Sequence, residues 1–77
     1  MPNAAERVRL RIIETVHLLR SLPRLGHIGR KQGTREFVVP HLPYIMVYRI
    51  DIADEDELVI LGIFHGTQDR RHFSNRT

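Results

Sequence analysis

Few side chains in this sequence are of types that do chemistry, and they are scattered. Its five histidines are His17, His27, His41, His65 and His72. No two stand four apart and none sits in an H-E-x-x-H pattern, so the helical spacing of a zinc site is missing. His65 stands at the end of an apolar run beside Gly66 and Gln68, where an imidazole serves either as a general base or as a partner for backbone. No aligned serine or carboxylate accompanies it, which weights the structural role. The chain has no cysteine, and this excludes a thiolate nucleophile, a thiolate metal site and a disulfide framework.

The acids are clustered. Residues 50–57 hold five of them and no base. Paired-carboxylate hydrolysis needs two groups facing across a cleft, whereas these share one turn. A calcium loop counted from Asp51 needs glycine sixth and glutamate twelfth; Asp56 and Gly62 stand there. The segment therefore reads as a solvated turn, and neither metal nor cofactor is expected. Gly26, Gly29 and Gly33 alternate with Arg24, Arg30 and Lys31, but Walker spacing and its following helix are absent, so this is a connecting loop. Tyr44 and Tyr48 interleave with Arg35 and Arg49. Such a set stacks on nucleic-acid bases or forms ordinary half-buried sheet.

The elements that must position these groups are legible. Asn3 with Glu6 three later has the form of a capping box. Val8, Ile12, Val16 and Leu19 form one helical stripe, flanked by Leu10, Ile13 and His17. Pro23 disfavours helical geometry in the residue before it. The spacing thus predicts a helix over residues 4–21. A loop over Arg24–Gly33 follows. Three strands are expected at Thr34–Val39, Tyr44–Ile50 and Leu58–Phe64, the last two joined by the acidic hairpin Asp51–Glu57.

Alternation assigns the faces. Tyr44, Met46, Tyr48 and Ile50 point one way, and Ile45, Val47 and Arg49 the other. Leu58, Ile60 and Phe64 are expected to oppose Val59, Leu61 and Ile63. Both sheet faces are then largely apolar, and one helix covers only one. The other is expected to meet a further segment, a second copy or a partner.

At 77 residues the chain makes one domain, residues 1–77, with a modest core. The 42% hydrophobic content argues against disorder. No stretch approaches a membrane span. Residues 1–11 carry three arginines and a glutamate rather than an apolar signal core, which predicts a cytoplasmic location. Charge is uneven: residues 1–49 are net +6, 50–57 net −5 and 58–77 net +2. Eleven of the twelve bases are arginine, the better fork for carboxylate or phosphate. Such a surface suits an acidic protein segment or a nucleic acid.

An ordered set of motifs sharpens the reading. Pro2-Asn3-Ala4-Ala5-Glu6 opens the helix and Leu22-Pro23-Arg24-Leu25-Gly26 closes it. Gly33-Thr34-Arg35-Glu36, Pro43-Tyr44-Ile45-Met46-Val47-Tyr48-Arg49 and Ile63-Phe64-His65-Gly66-Thr67-Gln68-Asp69 follow. In this order the sequence resembles the RelE/ParE superfamily of type II toxin–antitoxin toxins, on the ParE or plasmid-stabilisation side, over about residues 2–70. The resemblance implies an α+β fold, here one N-terminal helix packed on a three-stranded antiparallel β-meander. It also implies a strand and a helix ahead of Asn3, so the expected fold is an N-terminally truncated version.

The resemblance implies a toxin held inactive by a cognate antitoxin. ParE-like members block DNA gyrase; RelE-like members cut mRNA on the ribosome. The nucleases carry arginine directly after the first tyrosine of Tyr-x-x-x-Tyr, where Ile45 stands, and a basic residue just after the last strand's glycine, where Thr67 and Gln68 stand. Isoleucine cannot stabilise a charged transition state, which favours a non-catalytic gyrase inhibitor. The alternatives are a ribosome-dependent mRNA endonuclease using Arg35, Tyr48, Arg49, His65 or Arg70, and an inactive chain that only binds antitoxin. The expected target-facing surface is Arg49, His65, Gln68, Arg70 and Arg71. The expected antitoxin contacts are Arg24, Arg30, Lys31, Arg35, Ile45 and Val47, with a homodimer as a further partner state.

Overall fold

A computed structural model describes residues 1–66. The helix α1 runs Ala4–Ser21, the predicted span. The Asn3 side chain accepts from the Glu6 backbone N–H at 2.9 Å and caps its first turn. At the other end the Leu22 N–H closes on the Leu18 carbonyl at 2.9 Å, and Pro23 stops further winding. Thr15 and Leu19 are buried, with Ile12 and Val16 packed against the core. The Thr15 hydroxyl donates to the Arg11 carbonyl at 2.7 Å, which removes the cost of burying it. Leu10 and Ile13 flank this stripe and stay exposed.

Four strands follow: β1 (His27–Ile28), β2 (Arg35–Val38), β3 (Tyr44–Ile50) and β4 (Leu58–His65). They form one antiparallel sheet in the order β1-β2-β3-β4. The three expected strands are present, and β1 is an addition. His27 and Ile28 lie in the expected loop but pair with Glu36 and Arg35. Gly33, at φ +83, supplies the left-handed residue this hairpin's connection needs, and the Gly29 N–H donates to the Thr34 carbonyl at 2.8 Å.

The acidic connection between β3 and β4 builds its own turn. Asp51 and Asp54 carboxylates accept from the N–H groups of Ala53 and Asp56, at 2.8 and 3.0 Å. The Asp51 N–H donates to the Glu57 carbonyl at 3.0 Å and closes the hairpin.

The core lies between α1 and one face of the sheet. Leu19, Val39, Met46 and Tyr48 are its buried members, joined by Phe37, Leu42, Tyr44 and Leu58. Tyr44, Met46 and Tyr48 therefore share the helix side, as alternation requires.

In β4 the faces differ from expectation. Tyr48 pairs with Ile60 while Val47 pairs with Gly62, so Leu61 is an extra residue in a β-bulge. Beyond it the alternation inverts. Ile63 lies across from Met46 and His65 across from Tyr44, on the helix side, and Phe64 lies across from Ile45 on the far side. Ile63 and Phe64 thus exchange their expected faces.

The same shift alters where surplus apolar surface lies. On the far face Val47 is only 2% exposed, and Ile45, Val59 and Phe64 are half-buried. Phe64 folds its ring over Gly62, filling the space a Cβ would occupy: the ring's Cε2 is 2.7 Å from that position. Val38, 56% exposed, is the open apolar residue there. On the helix side α1 shields Met46 and Tyr48 fully but leaves Ile60 and Ile63 37% and 39% exposed. The uncovered apolar surface of the sheet thus lies along both margins, at Ile60 and Ile63 of β4 and at Ile28 and Val38 of β1 and β2, the last two being 70% and 56% exposed.

Candidate functional site

The basic loop between α1 and β2 is held on the sheet by one side chain. Tyr48 is fully buried, and its hydroxyl donates to the Pro23 carbonyl at 2.6 Å and accepts from the Gly26 N–H at 3.0 Å. Gly26 has no side chain for a steric reason. A Cβ there would stand 2.6 Å from the Tyr48 hydroxyl and 2.8 Å from its ring. The Arg35 guanidinium completes the strap, donating to the Gly26 carbonyl at 2.7 Å and to the Arg24 carbonyl at 3.4 Å. The hydroxyl and guanidinium thus fix the path of residues 23–26 across the end of the sheet.

Beyond this strap the loop is anchored by Glu36, a buried carboxylate. It accepts from the Arg30 backbone N–H at 3.2 Å, and the His27 Nε2 lies 3.9 Å from its other oxygen. The Thr34 hydroxyl donates to the Lys31 carbonyl at 2.6 Å. These bonds engage backbone, so the Arg24 and Arg30 side chains face outward, both residues being exposed. Arg24 stands 3.8 Å from Glu55 of the acidic hairpin. Both side chains are 65% exposed, so solvent screens this pair and its contribution is small. A shallow apolar cleft lined by Ser21, Leu22, Pro23 and Leu25 adjoins Arg24. The arrangement offers a partner exposed guanidinium groups beside a small apolar seat.

The expected site residues fall into separate places. Arg24, Arg30, Lys31 and Arg35 come together in the strap and its hairpin, with Arg35 turned onto backbone carbonyls. Ile45 and Val47 lie on the far face of β3, and burial leaves Val47 almost no surface to present. Arg49 and His65 do not converge. Arg49 pairs with Val59 on the far side at one end of the sheet; His65 pairs with Tyr44 on the helix side at the other. The Tyr44 and His65 rings meet edge to face, with centroids 5.9 Å apart. Gln68, Arg70 and Arg71 lie outside the described residues. Tyr48 is core and Tyr44 half-buried, so of the two readings of these tyrosines the sheet one applies, and together they present no base-stacking surface. Among the described residues no group of three or more histidines or acids is placed to hold a metal ion. None of their helices is long and apolar enough to cross a membrane.

A sequence model of the ParE toxin of the type II toxin–antitoxin system parDE matches residues 1–70. The chain belongs to the ParE toxin family. A Sinorhizobium fredii protein (strain NBRC 101917 / NGR234) named "Putative toxin Y4kP" is 40% identical over 67 residues, covering 87% of this chain and 66% of that protein. The chain thus spans just under two thirds of that relative's length. No solved structure matches it significantly.

Two features of this ParE-family site escaped sequence reasoning. Alternation put Tyr48 on the helix side, but nothing local tied its hydroxyl to a loop more than twenty residues earlier. Glu36 carries no local signal of burial, which follows from pairing with β1, an element too short to show a period. The close spacing of Gly26 and Pro23 after a helix was the available hint of a tight crossing.

Proposed function

We propose that this chain acts as a ParE-type toxin that inhibits DNA gyrase by binding it, and that a cognate antitoxin neutralises it. The observation that carries the reading is Ile45 within a chain of the ParE family. At the position directly after Tyr44 it offers a half-buried aliphatic side chain and no charge to a reacting phosphate. Tyr48 adds to this, because its hydroxyl is committed to Pro23 and Gly26.

The antitoxin is proposed to lie as an extended acidic segment along Arg24, Arg30 and Lys31, seating an apolar residue in the cleft beside Leu22 and Leu25. Ile45 and Val38 extend that contact onto the far face. For the target, His65 and the following Gln68, Arg70 and Arg71 form the proposed group, with Arg49 a separate contact.

The deciding experiment is supercoiling of relaxed plasmid by purified gyrase with increasing amounts of this chain. Inhibition that an added antitoxin reverses is expected. Gyrase left fully active, together with new A-site cuts in toeprints of translating ribosomes, would replace this reading with the nuclease one. Unchanged growth on expression with retained antitoxin binding would leave an antitoxin-binding chain without toxicity.

A further inference from the structure

Beyond the terminal Met1, Ile52 is the most exposed large apolar side chain among the described residues, at 95%. The turn it stands in fixes its place. The Asp51 carboxylate accepts from the Ala53 N–H, bracketing Ile52, and the Asp51 N–H closes the hairpin on the Glu57 carbonyl. The hairpin thus holds one aliphatic side chain out in water within a run of acids. The cleft beside Arg24 has the complementary character. Leu22 and Leu25, 54% and 46% exposed, give its apolar lining, and the Leu25 N–H donates to the Leu22 carbonyl at 3.0 Å and keeps them together. Arg20 and Arg24, both exposed, flank it in the chain. Hairpin and cleft share one end of the sheet. The hairpin extends β3 and β4 beyond Ile50 and Leu58, the strap is tied down at Tyr48, and Glu55 lies 3.8 Å from Arg24.

We propose that two copies of this chain associate about a two-fold axis, each seating Ile52 in the Leu22–Leu25 cleft of the other and setting its acidic hairpin against Arg20 and Arg24. Charge selects this occupant. Residues 50–57 are net −5, whereas residues 20–25 carry two arginines and no acid. Among the exposed apolar side chains Ile52 alone stands within a run of acids; Leu10, by contrast, lies between two arginines. The hairpin does not fill the cleft of its own chain. There Arg24 meets Glu55, and Ile52 remains in water. Because side chain and seat lie at the same end of one chain, a two-fold axis satisfies both at once, and association closes at two copies instead of growing into a filament. The contact is small, so the dimer is weak and exchanges readily. It uses the seat proposed above for the antitoxin's apolar residue, so a second copy and an antitoxin exclude one another there. The dimer itself rests neither on that placement nor on gyrase being the target.

The test is sedimentation of the full 77-residue chain over a range of concentrations at low and high salt. A reversible monomer–dimer equilibrium is expected, weakened as salt screens the hairpin from the arginines. Ile52→Asp and Leu25→Asp, each with an unchanged circular dichroism spectrum, should weaken it by about tenfold or more. Ile52 is almost wholly in water, so its variant keeps the fold even where the Leu25 variant does not. The sequence has no cysteine, and I52C mixed equally with a tagged L25C then locates the contact on mild oxidation. Random pairing makes about half of the cross-linked product mixed dimers, whereas a seated Ile52 should raise that share to about nine tenths. A chain that stays monomeric at all concentrations overturns the proposal. So does a dimer indifferent to salt, one unaffected by a folded Ile52→Asp variant, or cross-links in the random proportion. None of these readouts involves gyrase or antitoxin, so failure here is separate from failure of the proposed function.

Discussion

Replacing Tyr48 with phenylalanine removes one oxygen from the core and leaves the ring. That oxygen holds two bonds, to the Pro23 carbonyl at 2.6 Å and from the Gly26 N–H at 3.0 Å. Each is worth about 0.5–1.5 kcal/mol net, and a buried group left without its partner costs about 1–3 kcal/mol. Gly26 is buried, so its N–H bears that larger cost, whereas Pro23 is half-buried and its carbonyl regains water more easily. The expected loss is about 2–3 kcal/mol. Domains of this size have roughly 4–12 kcal/mol of stability in total, so the change takes a large share, and the melting temperature should fall by about 10–20 °C. Denaturant unfolding measures the loss, and hydrogen exchange of the Gly26 amide locates it. Gly26→Ala supplies a cross-check: its Cβ meets the same hydroxyl at 2.6 Å, so its penalty should be smaller in the phenylalanine background. A loss under about 0.5 kcal/mol with undiminished Gly26 protection would refute the idea that this hydroxyl holds the loop.

Asn3→Ala should cost about 1 kcal/mol through loss of the cap on Glu6, read as earlier thermal unfolding with the tertiary core intact. Gly62→Ala should destabilise by about 1–3 kcal/mol, because the new methyl displaces the Phe64 ring 2.7 Å away; a shift in the Phe64 ring resonances checks it. Gly33→Ala should cost about 1 kcal/mol from the φ of +83 alone, since nothing stands within 4 Å of the added methyl. Arg24→Glu should change stability by less than about 1 kcal/mol, its pair with Glu55 being exposed, yet weaken antitoxin binding in calorimetry at low salt and less so at high salt.

Much of the fold was legible because local rules agreed. Asn3, the Val8–Leu19 stripe and Pro23 bound α1 independently, and the helix runs Ala4–Ser21. Tyr44–Ile50 is β3 to the residue, set off by Pro43 on one side and the acidic turn on the other. What was hidden depends on partners distant in sequence. His27–Ile28 is strand only because β2 lies beside it, and two residues show no period. The bulge at Leu61 is invisible in an unbroken apolar run, since no polar residue marks which side faces water. In the candidate site the cluster of bases was plain from composition, but the distinction between Arg24, which faces outward, and Arg35, which clamps backbone, appears only when Gly26 crosses above Tyr48.

Leu61 also gives β4 one point at which its length can change. Substituting any of its aliphatic residues by another leaves each side chain on its face. Deleting Leu61 would leave Ile60 across from Tyr48 and Gly62 across from Val47, so regular alternation would set Ile63 toward α1 and Phe64 on the far side, where they already stand. The edge contact of Tyr44 with His65 would be kept. The bulge is thus slack in the strand: pairing with β3 sets which side each residue faces, and the chain can lose this one residue without turning over either half.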